Sequence, residues 1–147
     1  MQGFPVSMEL PIQWGDLDAY GHVNNVAYLK WFEAARAEYA MRVGVAVLPG
    51  QPGVGAMLAS LSCRYLRPLN YPGVVVAGVR VVRLSLGSVS LECLMLDQKT
   101  GVPVAEGACD VVLVDNATGA PAPVPDHIRA AVEKLEGRPV PAKIRRR

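Results

Sequence analysis

From Met8 to Gly15 apolar and polar residues alternate, with Leu10, Ile12 and Trp14 on one side and Glu9, Pro11 and Gln13 on the other. A period of two is that of a half-buried strand. Pro11 has no N–H to give a ladder, so this strand is expected at a sheet edge or a bulge. Residues 15–24 break the pattern with Gly15, Asp16, Asp18, Gly21 and Asn24, all turn formers. The period then changes to that of a helix. Val26, Leu29, Phe32, Ala35 and Tyr39 form one stripe, widened by Tyr28 and Trp31. Asn24 or Asn25 suits the N-cap and Gly44 the residue just past the C-terminus. The Gly- and Pro-rich run 48–56 reads as a loop. Four strand-like segments follow: Met57 to Pro68, Gly73 to Ser85, Val89 to Asp97 and Val102 to Asp115. Short turn signals separate them, which makes neighbours antiparallel. Pro125 to Glu136 closes the chain as an amphipathic helix with Ile128, Ala131, Val132 and Leu135 on one face.

This order predicts a single α+β domain over residues 1–147: a curved antiparallel sheet of about five strands around one long central helix, with a short C-terminal helix. The body spans about 6–135, and 138–147 form a basic tail expected to fray. A sheet that covers the helix on one side leaves a second surface to hide, so a dimer or larger homo-oligomer is expected.

Composition narrows the function classes. A chain of 147 residues can bury a core without disulfides or metal. The net charge of +2 is concentrated in the tail, where Arg138, Lys143, Arg145, Arg146 and Arg147 outweigh Glu136. The body is therefore mildly acidic, which is not the footprint of a nucleic-acid binder. No apolar run approaches the ~20 residues a membrane helix needs. MQGFPVSMEL lacks the charged and apolar regions of a signal peptide, so a cytoplasmic chain is expected. Cys63, Cys93 and Cys109 are scattered through apolar stretches and read as buried thiols.

Candidate chemistry is confined to one stretch. No GxGxxG, GxxxxGK[ST], CxxC or HExxH occurs, so neither a cofactor nor a metal is expected. No serine sits in a GxSxG elbow. His127 lies alone in the terminal helix and reads as a surface residue. What remains is Trp14 to Tyr39, where Asp16, Asp18, His22, Asn24 and Asn25 crowd the start of the long helix. The two aspartates either turn the loop and cap the helix, or one acts as base or nucleophile beside backbone amides that bind a developing oxyanion.

The string DLDAYGHVNNVAYL, followed by WFEAAR, closely resembles the signature of hotdog-fold acyl-CoA thioesterases of the 4-hydroxybenzoyl-CoA thioesterase type. CRYLRPL and the following Pro72-Gly73 are similar to that family's second-strand pattern. The resemblance covers about residues 6–135. It implies a hotdog fold, an acyl-CoA substrate, and dimers or tetramers joined edge to edge with the active site at the subunit interface. It implies that Asp18 is the catalytic carboxylate, as general base or nucleophile. Backbone N–H groups of Asn25 and Val26 would polarise the thioester carbonyl, with His22, Asn24 and Tyr20 in support. Arg64, Arg67, Arg80 and Arg83 are candidate phosphate partners for coenzyme A, and Ser88 for its pantetheine. Two positions depart from relatives. Tyr20 replaces the asparagine that plant-type acyl-ACP thioesterases carry between aspartate and histidine. Val74 stands where many relatives have an acid. Hydrolysis of acyl-ACP, and a non-catalytic acyl-thioester-binding protein, are the alternative expectations.

Overall fold

The computed structural model describes residues 1–142. Strand β1 (Val6–Pro11) leads through a short 3-10 turn (Trp14–Asp16) to helix α1 (Asn25–Val43). Strands β2 (Val54–Tyr65), β3 (Val74–Leu84), β4 (Ser88–Asp97) and β5 (Pro103–Asp115) follow, and helix α2 (Asp126–Glu136) ends the body. The five strands form one antiparallel sheet in the order β1-β3-β4-β5-β2. The sheet wraps one face of α1, which is the hotdog architecture.

The core lies between α1 and the inner face of the sheet. From α1 come Ala27, Tyr28, Trp31, Phe32, Ala35, Tyr39 and Val43. From the sheet come Val79, Val81, Leu91, Cys93, Cys109 and Val111, among others. The helix approaches the strands closely at Gly107, where an added Cβ would lie 3.3 Å from the Phe32 ring and from the Ser62 carbonyl oxygen. A side chain there would lift the helix away, so glycine is a packing requirement. Gly44 ends α1 with φ 89°, a left-handed conformation that glycine adopts without strain.

The outer face of the sheet is polar. Arg64 pairs with Glu106 across β2 and β5, and Arg80 with Glu92 across β3 and β4.

Four expectations need correction. The first strand ends at Pro11, because Asp16 accepts from the Gln13 N–H at 2.8 Å and folds residues 13–16 into a turn. Trp14 therefore stands 76% exposed instead of facing the core. The buried stripe of α1 is rotated: Val26 is 55% exposed, and Ala27 takes the inward place at the head of an i, i+4 row through Trp31, Ala35, Tyr39 and Val43. The loop after α1 is shorter than its composition suggests. Ala46 bonds back to Val54 at 2.7 Å and bridges Gly55, drawing 54–56 into β2. The start of the basic tail is packed, not frayed. Arg138 donates to the Val81 carbonyl at 3.2 Å, Leu84 donates to Pro141, and Val140 is buried. Residues 143–147 lie outside the described part. Pro11 does occupy an edge strand, where its missing N–H costs nothing.

Candidate active site at the start of the long helix

The loop between the 3-10 turn and α1 is stitched to itself. Asp18 N–H donates to the His22 carbonyl at 2.8 Å, and Leu17 bridges Val23. Asn24 N–H donates to the Asp16 carbonyl at 2.7 Å, and Val23 N–H to Leu69 at 3.0 Å. These bonds hold Asp18 at a fixed place ahead of the helix. One carboxylate oxygen, Oδ1, accepts from the Tyr20 N–H at 2.9 Å and from the His22 N–H at 3.3 Å. His22 thus supports the loop through its backbone amide. Tyr20 does likewise, and its side chain is exposed.

Asn24 is the N-cap. Its side chain accepts from the Val26 N–H at 3.0 Å, and its carbonyl from Ala27 at 3.0 Å. The Val26 amide, expected to face a substrate carbonyl, is thus occupied by the cap. The Asn25 amide carries neither of these capping bonds. Tyr65 fixes the same end from the sheet: its hydroxyl donates to the Asn25 carbonyl at 3.1 Å and its ring packs edge-on against Tyr28 at 5.1 Å. Burial pushes the Tyr28 hydroxyl up to about 12, so Tyr28 is neutral and apolar in character here.

The suggested coenzyme A contacts do not converge. Arg64, Arg80 and Arg83 lie on the sheet, the first two bound to Glu106 and Glu92. Arg67 lies just past β2, and Ser88 opens β4 with its carbonyl accepting from Ser85. Among the described residues no cluster of three or more His, Cys, Asp or Glu groups is arranged to hold a metal ion.

Away from this loop, a cleft of about 650 Å³ opens between the C-terminal half of α1, the 45–49 segment and the start of β2. Val47, Leu48, Leu58, Val111 and Leu113 make its apolar walls. Sequence reasoning pointed to the segment from Leu48 but not to the cleft, which needs four separate elements to form.

The model of the Thioesterase-like superfamily matches residues 12–132. The chain belongs to this superfamily. A member from Thermus thermophilus, a thioesterase crystallised with coenzyme A and Zn, is 36% identical and superimposes with a TM-score of 0.85 over 95% of this chain and 100% of that one. The PA5185 protein of Pseudomonas aeruginosa strain PAO1 is 30% identical, with a TM-score of 0.81 over 91% of this chain and 93% of that one. The chloroplastic acyl-acyl carrier protein thioesterase ATL2 of Arabidopsis thaliana is 27% identical over 84% of this chain. The chain spans 65% of that plant relative's length.

Proposed function

We propose that this thioesterase-superfamily chain hydrolyses acyl-CoA to a free acid and coenzyme A, with Asp18 as the catalytic carboxylate. The observation that carries the reading is the stitched loop, which presents the Asp18 side chain at the start of α1 with Oδ1 held by two backbone amides. The second oxygen is left to act. As a general base it takes a proton from water, and the water oxygen bonds to the thioester carbon. The oxyanion that forms faces the Asn25 N–H at the positive end of the helix dipole. The C–S bond then breaks, and the thiolate leaves with a proton. As a nucleophile, the same oxygen would form an anhydride that water opens. Single turnover in ¹⁸O-water separates the two, since only the second route labels Asp18.

The site is completed by a second copy. Strand β2 is an edge of 12 residues with exposed Met57, Leu58 and Tyr65. Its outer backbone groups call for a partner strand. A two-fold dimer pairs β2 with its own copy antiparallel. Within one subunit β2 runs opposite to α1: Tyr65 touches Asn25 at one end, and Gly55 bridges Ala46 at the other. Antiparallel pairing therefore sets the Asp18 end of each subunit beside the cleft end of its neighbour. The cleft is the acyl pocket in this arrangement.

The test is hydrolysis of a panel of acyl-CoAs by the wild type and by Asp18→Asn. The variant should lose about 10²–10⁴-fold in kcat/KM. Retained wild-type activity would exclude Asp18. The resemblance to a plant acyl-acyl carrier protein thioesterase supports a second reading, in which the carrier is a protein. Assaying one acyl group on both carriers decides between them.

A further inference from the structure

Arg36 is the unexplained charge of the interior. It lies on α1 against the sheet, with its guanidinium carbon 5.1 Å from the Phe32 ring centroid. The thiols of Cys93 and Cys109 are its neighbours on the inner face, and that of Cys109 is within bonding reach. A thiol is only a weak acceptor. Nη1 is buried and has no hydrogen-bond partner. None of the ion pairs found among the described residues includes Arg36. A buried guanidinium nitrogen without an acceptor is costly, and an anion is what relieves it. Arg36 also lines the apolar cleft. Glu33, on the same cleft, is exposed, so water screens its charge and it does not neutralise Arg36.

We infer that Arg36 is a specificity-determining residue that receives a carboxylate at the far end of the acyl group, so that the preferred substrates are ω-carboxyacyl thioesters with an apolar middle. The apolar walls hold the methylenes, and the guanidinium binds the distal carboxylate by charge-assisted hydrogen bonds. This inference rests on the thioesterase reading and on the cleft being the acyl pocket.

The test uses matched pairs, hexanoyl-CoA with adipoyl-CoA and octanoyl-CoA with suberoyl-CoA, on the wild type, Arg36→Met, Arg36→Gln and Arg36→Lys. The wild type should favour the carboxylated member of at least one pair by about 10- to 100-fold in kcat/KM. Arg36→Met and Arg36→Gln should abolish that preference while keeping or raising turnover of the neutral member, and Arg36→Lys should retain part of it. Equal use of both members by the wild type, or an equal loss on both in the variants, would overturn the inference and leave the thioesterase reading standing. Calorimetry with non-hydrolysable thioether analogues of the same pairs gives a readout without turnover. Discrimination in binding without hydrolysis would sink the thioesterase reading and keep the role of Arg36. Absence of both would sink both.

Discussion

Asn24 and Asp18 do different work within a few residues of each other. Asn24 ties the Val26 amide to the helix start, and Asp18 ties the loop to itself through Tyr20 and His22. Asn24→Ala should cost about 1 kcal/mol of stability, read from the urea midpoint. Asp18→Asn keeps a carbonyl oxygen for the two amides, so its melting point should hardly move while activity falls. That separation distinguishes a catalytic carboxylate from a turn former. At this scale the sequence was informative, because asparagine before an apolar helical run has a local meaning. The engagement of Val26 by the cap was not foreseen, since nothing in the residue order says which amide a cap takes. Arg36 was likewise invisible as a feature: its burial depends on Phe32, Cys93 and Cys109 meeting from three elements.

Among the elements, α2 acts as a clasp. Glu136 accepts from the Tyr39 hydroxyl of α1 at 2.6 Å and from the Val81 N–H of β3 at 3.1 Å. Arg138 answers at the Val81 carbonyl. Three elements thus meet on one carboxylate at the end of a helix. Glu136→Ala leaves two partly buried donors unpaired and should cost about 1–3 kcal/mol in chemical denaturation. Glu136→Gln retains an acceptor and should cost less. The apolar face of α2, with Ile128 and Val132 buried, was readable from its spacing. Its docking place was not, because a terminal glutamate looks like any solvated helix end. The strands divide in the same way. Their number and antiparallel sense follow from short turns, while β2 as the outer neighbour of β5 follows from long-range pairing that no local signal carries.

For the whole molecule, the buried groups set an alkaline limit. Burial pushes the Tyr28 hydroxyl and the Cys93 thiol up to about 12. Both values lie above those of the unfolded chain, so the unfolded state loses its protons first as pH rises. The stability held by these groups is complete below their unfolded values of 10.0 and 9.0 and drains away through about 12. Urea midpoints measured from neutral to alkaline pH should stay level and then fall above about 9. Tyr28→Phe should fall less steeply, and an unchanged slope would remove Tyr28 from the cause.

The open edge of β2 makes folding a matter of mass action. If the edge is closed only by a second copy, part of the fold's stability belongs to the pair and grows with protein concentration. The melting temperature of the wild type should therefore rise with concentration across a dilution series, whereas Met57→Lys, which sets a charge on that edge, should melt lower and nearly independently of concentration. The same feature places the chain's most vulnerable interval before it finds its partner, when 12 residues of strand are still an open template for any other chain.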